Sequence, residues 1–157
     1  MTVFLTVLSG VLVFVLGQIL LKLFIEPIQE LRKLVSKIAY DLIKLANVLA
    51  NPTEPEDERF TEACKIMREH SSNLHAHFYL VPFYKVTCRI FGLPTEEDVL
   101  KATKELIRLS NGRGGVLANQ SILNSYSMQK IKSSLGIAIP KSEWLDPEQE
   151  KEFIKAK

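Results

Sequence analysis

The 157-residue sequence has few cysteines, few aromatic residues and little net charge. Its two cysteines, Cys64 and Cys88, are too few and too plainly spaced for a disulfide framework, so we expect free, buried thiols. Its 20 basic and 18 acidic residues nearly cancel. The sequence therefore predicts no basic field for nucleic acid and no acidic tail, and nucleic acid is not an expected partner.

The sequence also lacks the motifs of the common catalytic and metal sites. It contains no GxSxG nucleophile elbow, no HExxH and no CxxC. Its three histidines, His70, His75 and His77, fall in a predicted helix, where residues two apart point about 200° apart and residues seven apart are separated by roughly 10 Å. Neither pair could hold one metal ion without distant ligands. We therefore expect a protein that is not an enzyme and has no metal site and no cofactor.

Charged residues are missing from the first part of the chain as well. Residues 2–21 contain none, and the apolar stretch continues past Lys22 to Ile25. About 24 helical residues would extend roughly 36 Å, more than the hydrocarbon core of a bilayer at about 30 Å. No basic residue precedes the stretch, and Glu26 and Pro27 follow it in place of a small-residue cleavage site. We therefore expect residues 1–26 to be an uncleaved transmembrane anchor and not a signal peptide.

The basic residues predict how that anchor is oriented. None precedes the span, whereas five follow it closely: Lys22, Arg32, Lys33, Lys37 and Lys44. Because basic residues favour the cytoplasmic side of a span, we expect the N-terminus outside and the remainder in the cytoplasm. The expected location is a cell inner membrane or plasma membrane, with the lipid bilayer as a partner.

Small residues recur along one side of the predicted span. Thr6, Gly10 and Gly17 are spaced by four and seven residues, which places them on one helical stripe where a second helix could approach closely. Gln18 lies beside this stripe. A carboxamide in hydrocarbon is stabilised by a hydrogen bond, most simply to its copy on a neighbouring protomer, or it stays hydrated among the headgroups. These four residues form the predicted oligomer interface.

Residues 27–138 are predicted to form an all-α cytoplasmic bundle of about four to five helices. Pro27 lacks a backbone N–H, so we expect the first helix to kink or end there, with Pro27 in the first turn of the second. The second helix is predicted over residues 28–49, as the central helix of the bundle or a stalk buried on two sides. Its predicted buried face comprises Ile28, Leu31, Val35, Ile38, Leu42, Leu45 and Leu49, widened by Leu34, Ala39, Ile43 and Ala46.

Further helices are predicted over residues 55–80, 96–109 and 117–135, with a short helical segment at 83–91. The first of these has a regular buried face, made by Phe60, Cys64, Met67, Ser71, Leu74, Phe78 and Val81. The inner face of the helix over 96–109 is predicted to be Val99, Thr103, Leu106 and Ile107. Aromatic residues gather around Pro82 and are interpreted as a corner of the core: Phe78, Tyr79, Phe83, Tyr84 and Phe91. Residues 139–157 form a C-terminal segment whose short helix is predicted to begin at Asp146 and Pro147.

A glycine-rich loop precedes the predicted helix at 117–135. Gly112, Arg113, Gly114 and Gly115 could offer backbone N–H groups and one guanidinium to a small anionic ligand such as phosphate. The loop lacks the GK[ST] ending of a P-loop and follows a helix, so nucleotide hydrolysis is not predicted. The alternative is a left-handed helix stop at residues 111–112 followed by a flexible turn.

These patterns lead to two hypotheses of different class. The first is a non-enzymatic, single-span membrane protein whose cytoplasmic helical domain self-assembles or binds a protein partner. The small-residue stripe of the span and the wide apolar face of residues 28–49 would both be stabilised by packing against another helix. The second is a membrane effector that senses a small anionic ligand and alters membrane permeability. In that case a rearrangement of the bundle would reach the span through Pro27.

Overall fold

The structure, a computed structural model, describes residues 2–53, 57–112 and 119–155. Apart from short turns, the regular elements in these ranges are helices, which confirms the all-α prediction. The α-helices are α1 (Thr2–Leu20), α2 (Glu26–Lys44), α3 (Ala46–Ala50), α4 (Glu58–Leu80), α5 (Tyr84–Phe91), α6 (Glu96–Asn111), α7 (Gln120–Ser134) and α8 (Pro147–Lys155).

The first helix continues into the second without ending. A π-helical turn, Leu21–Ile25, joins α1 to α2, so that helical structure runs from Thr2 to Lys44 over 43 residues. None of the residues of α1 is buried against the rest of the chain. By length and composition α1 could cross a membrane.

The prediction that the first helix ends at Pro27 is therefore wrong, whereas Pro27 does occupy the first turn of α2 as predicted. The alternative, a kink at Pro27, stays a prediction. A proline in a regular α-helix clashes with the carbonyl four residues earlier and cannot donate to it. Here the backbone N–H of Glu26 donates to the carbonyl of Leu21, five residues earlier. This wider turn changes the hydrogen-bond ladder just before the proline and lets the chain stay helical.

The core lies among α2, α4, α6 and α7, each of which contacts the next in that order. In α4 the predicted buried face is confirmed at all seven positions, from Phe60 to Val81. The helix begins after Asp57, whose carboxylate accepts hydrogen bonds from the first backbone N–H groups of the helix. In α6, Val99, Thr103 and Leu106 are buried as predicted. The predicted inner residue Ile107 is instead exposed, and Ala102 and Leu109 complete that face.

The predicted buried face of α2 is confirmed at most positions, since Ile28, Leu31, Ile38 and Leu42 are buried and Val35 is partly buried. The predicted widening of that face is wrong on one side. Leu34 is buried as expected, whereas Ile43 is 68% exposed and Asp41 is buried in its place. With 100° per residue, Asp41 lies about 60° from Ile38 around the helix axis, whereas Ile43 lies about 140° away and faces outward. The predicted single helix also ends at Lys44, and α3 begins only after an irregular residue at position 45.

The C-terminal segment packs on α7. The side chain of Gln129 donates to the carbonyl of Leu145 at 2.8 Å and accepts from the N–H of the same residue at 2.6 Å. The hydroxyl of Tyr126 donates to the carbonyl of Asp146 at 2.8 Å. The predicted start of the last helix is confirmed, since the Asp146 carboxylate accepts from the N–H of Glu148 at 3.0 Å.

Candidate functional site

The predicted oligomer interface lies on an open surface of α1. Thr6, Gly10, Gly17 and Gln18 are all exposed. A Cβ atom added at either glycine would meet no atom within 4 Å beyond its own stretch of helix. The hydroxyl of Thr6 donates to the carbonyl of Thr2 within the helix at 3.0 Å. Because α1 is a regular helix, the two glycines and Thr6 share one stripe, with Gln18 about 100° from Gly17. Contact with a second copy at this stripe stays a prediction.

Most of the predicted anion-binding loop lies outside the described residues. This applies to Arg113, Gly114 and Gly115, so only Gly112 can be placed. Gly112 has φ −77° and ψ 65°, so the predicted left-handed stop is wrong. Position 112 requires glycine because there is no room for a side chain. An added Cβ would lie 2.8 Å from the side-chain nitrogen of Gln120 and would also collide with the side chain of Asn124.

Asn124 links the end of α6 to α3 and α7. Its side-chain nitrogen donates to the carbonyls of Leu49, at 2.8 Å, and Gly112, at 3.2 Å, while its oxygen accepts from Gln120 at 2.8 Å. The side chain is almost completely buried. Buried amides of this kind fix the mutual position of the elements they join. The sequence reasoning missed Asn124 because its partners are backbone carbonyls distant in sequence.

A buried histidine and carboxylate join α2 to α4. Nε2 of His70 lies 2.7 Å from Oδ2 of Asp41, and the two side chains are 3% and 11% exposed. His77, on the same helix as His70, instead bonds through Nδ1 to the carbonyl of Asn73 at 2.8 Å. In the part of the chain that the structure describes, no group of three or more metal-ligating side chains comes together. The Asp41 and His70 pair therefore joins two helices across the core.

Four charged side chains fasten α8 to α6 and α7. Glu150 accepts from Lys130 at 2.6 Å and from Arg108 at 3.5 Å. Glu105 lies within ion-pair distance of the same two cations, at 3.8 Å and 3.6 Å. Two carboxylates and two cations cancel one another, so the cluster leaves no net charge for an ionic substrate. We interpret it as a structural network that holds α8 in place.

An open groove runs between the end of α2, α3 and the first half of α4. Its volume is about 720 Å³, and apolar side chains of Leu45, Val48 and Ile66 line it. Charged residues of both signs also line it: Lys44, Glu58, Arg59 and Glu62. An apolar depression with charges of both signs is suited to a protein segment more than to a small ion.

No protein family, curated protein or solved structure matches the chain. The functional conclusion therefore rests on the contacts and exposed surfaces of the described residues. Two features stand out among them: an apolar helix with no buried residue, and a helical bundle whose buried polar groups connect its own elements.

Proposed function

We propose that the chain is a non-enzymatic, single-span membrane protein whose cytoplasmic helical bundle is an interaction domain. The observation that carries this proposal is α1, which is apolar on every side and contributes no residue to the core. A helix of this kind is stable where another apolar medium covers it, and its length suits a bilayer. The groove beside α3 is a surface on which the bundle could bind a protein.

The proposed orientation has the N-terminus outside and the bundle in the cytoplasm of an inner or plasma membrane. It is supported by the exposed basic residues that follow α1, among them Arg32, Lys33 and Lys37. A fluorescent reporter that folds only in the cytoplasm, fused after Lys157, should be active. The same fusion to alkaline phosphatase should be inactive, and phosphatase activity would reverse the orientation.

The proposed assembly is self-association through the small-residue stripe of α1. The open surface around Gly10 and Gly17 supports it, because a neighbouring helix could pack against the backbone there. Mass photometry of the full chain in lipid nanodiscs should show an oligomer, which Gly17→Leu shifts towards the monomer. Val15→Phe is the matched control, since it adds similar bulk at an exposed position about 180° from Thr6 around the helix. A strictly monomeric wild type, with no captured partner, would overturn the proposed assembly.

A second candidate is the permeability effector that responds to a small anionic ligand. The observation that favours it is the continuous helix from α1 to α2, because a displacement of the bundle would move the span directly. The π-helical turn Leu21–Ile25 would be the adjustable point, as π-helical turns often are in functional helices. Cells expressing the wild type or Arg113→Ala would be compared with a voltage-sensitive dye. Failure of the wild type to depolarise the membrane under any condition tested would remove this candidate.

A further inference from the structure

A second apolar surface lies at the corner between α4 and α5. It comprises Tyr79, Leu80, Phe83, Val86 and Ile90, whose exposed fractions range from 59% to 78%. We call these five residues the corner patch. Their neighbours Phe78 and Tyr84 are buried, so the predicted core corner around Pro82 is correct for part of the aromatic cluster and wrong for Tyr79 and Phe83. Several large apolar side chains exposed at one corner of a bundle commonly mark a contact surface.

The corner patch lies at the end of the bundle from which α1 leaves. The bond between Asp41 and His70 fixes the register of α2 against α4. The two helices run in opposite directions, because Leu45, after the end of α2, shares a groove with Ile66, which precedes His70 in α4. With equal rise per residue, Leu80 is then roughly level with Leu31 near the start of α2. A second contact agrees with this placement, because the guanidinium of Arg32 donates to the carbonyl of Phe91 at the end of α5.

The corner patch lies close to the end of the apolar span. Leu31, which is level with Leu80, is about 9 Å of helix beyond Ile25, where the apolar stretch ends. The polar layer on one side of a bilayer is about 5 to 7.5 Å thick. Phe83 lies in the turn that follows the end of α4. The exposed side chains of the corner are therefore beside the lipid headgroups when α1 spans the membrane.

The outer face of α5 has the composition of a helix that lies on a membrane surface. Val86 and Ile90 alternate with Lys85 and Arg89, and all four are exposed. The two cations share a shallow groove with acidic residues at the start of α6, so their charge is partly balanced within the protein. We therefore expect apolar contact, with the long basic side chains reaching outward to the headgroups, to provide most of the attraction.

The backbone at Phe83 holds the most exposed ring of the patch outward. Phe83 has φ 48° and ψ 45°, and among the described residues it is the one non-glycine residue with positive φ. A left-handed conformation is unfavourable for a bulky residue, and such strain is found mainly where function requires it. Here it places an aromatic ring in water, an arrangement that becomes favourable once another apolar medium covers the ring.

We propose that the corner patch is a second membrane contact, with Phe83, Val86 and Ile90 at the boundary between headgroups and acyl chains of the bilayer that α1 spans. This inference rests on the proposed membrane anchor. The occupant is phospholipid, recognised by its apolar boundary and not by the charge of its headgroup.

The test uses the full chain in liposomes of phosphatidylcholine brominated at shallow or deep acyl positions, which quench tryptophan fluorescence on contact. Trp144 is the single tryptophan and lies beside residues that share a groove with α3, at the opposite end of the bundle. In a Trp144→Phe background, Phe83→Trp should be quenched several-fold more by shallow than by deep bromines. Phe14→Trp, near the middle of α1, should show the reverse preference, and native Trp144 should be quenched by neither.

The outcomes separate the two proposals. If Phe14→Trp is quenched by the deep bromines and Phe83→Trp by neither, the corner patch does not touch lipid, although the span stands. If Phe14→Trp is not quenched, the membrane anchor fails and the second contact fails with it. A blue-shifted but unquenched Phe83→Trp would mean that protein covers the patch, which also overturns the inference. For an apolar contact, quenching should be equal in liposomes with and without about 30% of the anionic lipid phosphatidylglycerol. Quenching that requires the anionic lipid would overturn that assignment.

Discussion

The Asp41 and His70 pair offers the sharpest test of how the bundle is held together. The two side chains approach to 2.7 Å with almost no access to water. Removing one partner leaves the other buried without its hydrogen bond, which costs about 3 to 5 kcal/mol when the abandoned group is charged. Hydrogen bonds that involve a charged group contribute about 1.5 to 3 kcal/mol. We therefore expect Asp41→Ala and His70→Ala each to destabilise strongly, and the double variant to cost about 1.5 to 3 kcal/mol less than their sum.

The free energies would come from urea unfolding of the full chain in mild detergent, followed by circular dichroism at 222 nm. The control cycle combines His70→Ala with Ser36→Ala, because Ser36 is exposed and lies about 140° from Asp41 around α2. Changes at these two positions should add. A coupling free energy below about 0.5 kcal/mol between Asp41 and His70, within the usual error of additivity, would refute the buried bond and the register of α2 and α4 derived from it.

Three further predictions follow from single positions. Leu42→Ala should lower the free energy of unfolding by about 2 to 5 kcal/mol, because the side chain is fully buried, whereas Lys37→Ala should change it by less than about 0.5 kcal/mol; thermal melts giving equal shifts would contradict the assigned face. Gly112→Ala should cost about 1 to 3 kcal/mol through the collision with neighbouring amide side chains, measured as a lower urea midpoint. Hydrogen bonds from Thr53 and from backbone N–H groups lower the pKa of Asp57. The ionised carboxylate therefore stabilises the fold above the ordinary pKa of a free aspartate, and this stabilisation is lost as the pH falls through the lowered pKa. The free energies of unfolding of wild type and Asp57→Asn, measured against pH, should converge there.

The fold could be predicted where burial follows a local period. In α4 the predicted face is correct at every position, because apolar residues three and four apart lie on one side of any α-helix. Pro27 shows the limit of such local rules. They state that a proline cannot fit a regular helix, but they do not state that a π-helical turn just before it keeps the chain helical.

The polar contacts between helices could not be predicted, because each depends on residues far away in sequence. From the sequence alone, Asp41 would be assigned to a solvated face of α2. The fold buries it by placing it against His70, which is 29 residues later in the sequence. The requirement for glycine at position 112 likewise depends on Asn124, which occupies the space that a side chain would need. The composition of residues 111–115 predicted a turn or an anion site. That composition contains no information about how Asn124 packs against Gly112.

The two proposed membrane contacts together would determine how the bundle is held relative to the bilayer. A single helical anchor leaves a domain free to swing, whereas α1 and the corner patch, both at one end of the bundle, would hold α2 upright on the membrane. Ala46, at the start of α3, is 24 residues beyond Lys22, so the groove beside α3 would stand about 36 Å above the span. A protein bound in that groove would act on the far end of the helix that continues into α1. Tilting α2 from there would have to lift the corner patch out of the lipid, so partner binding and membrane contact at the corner should oppose each other.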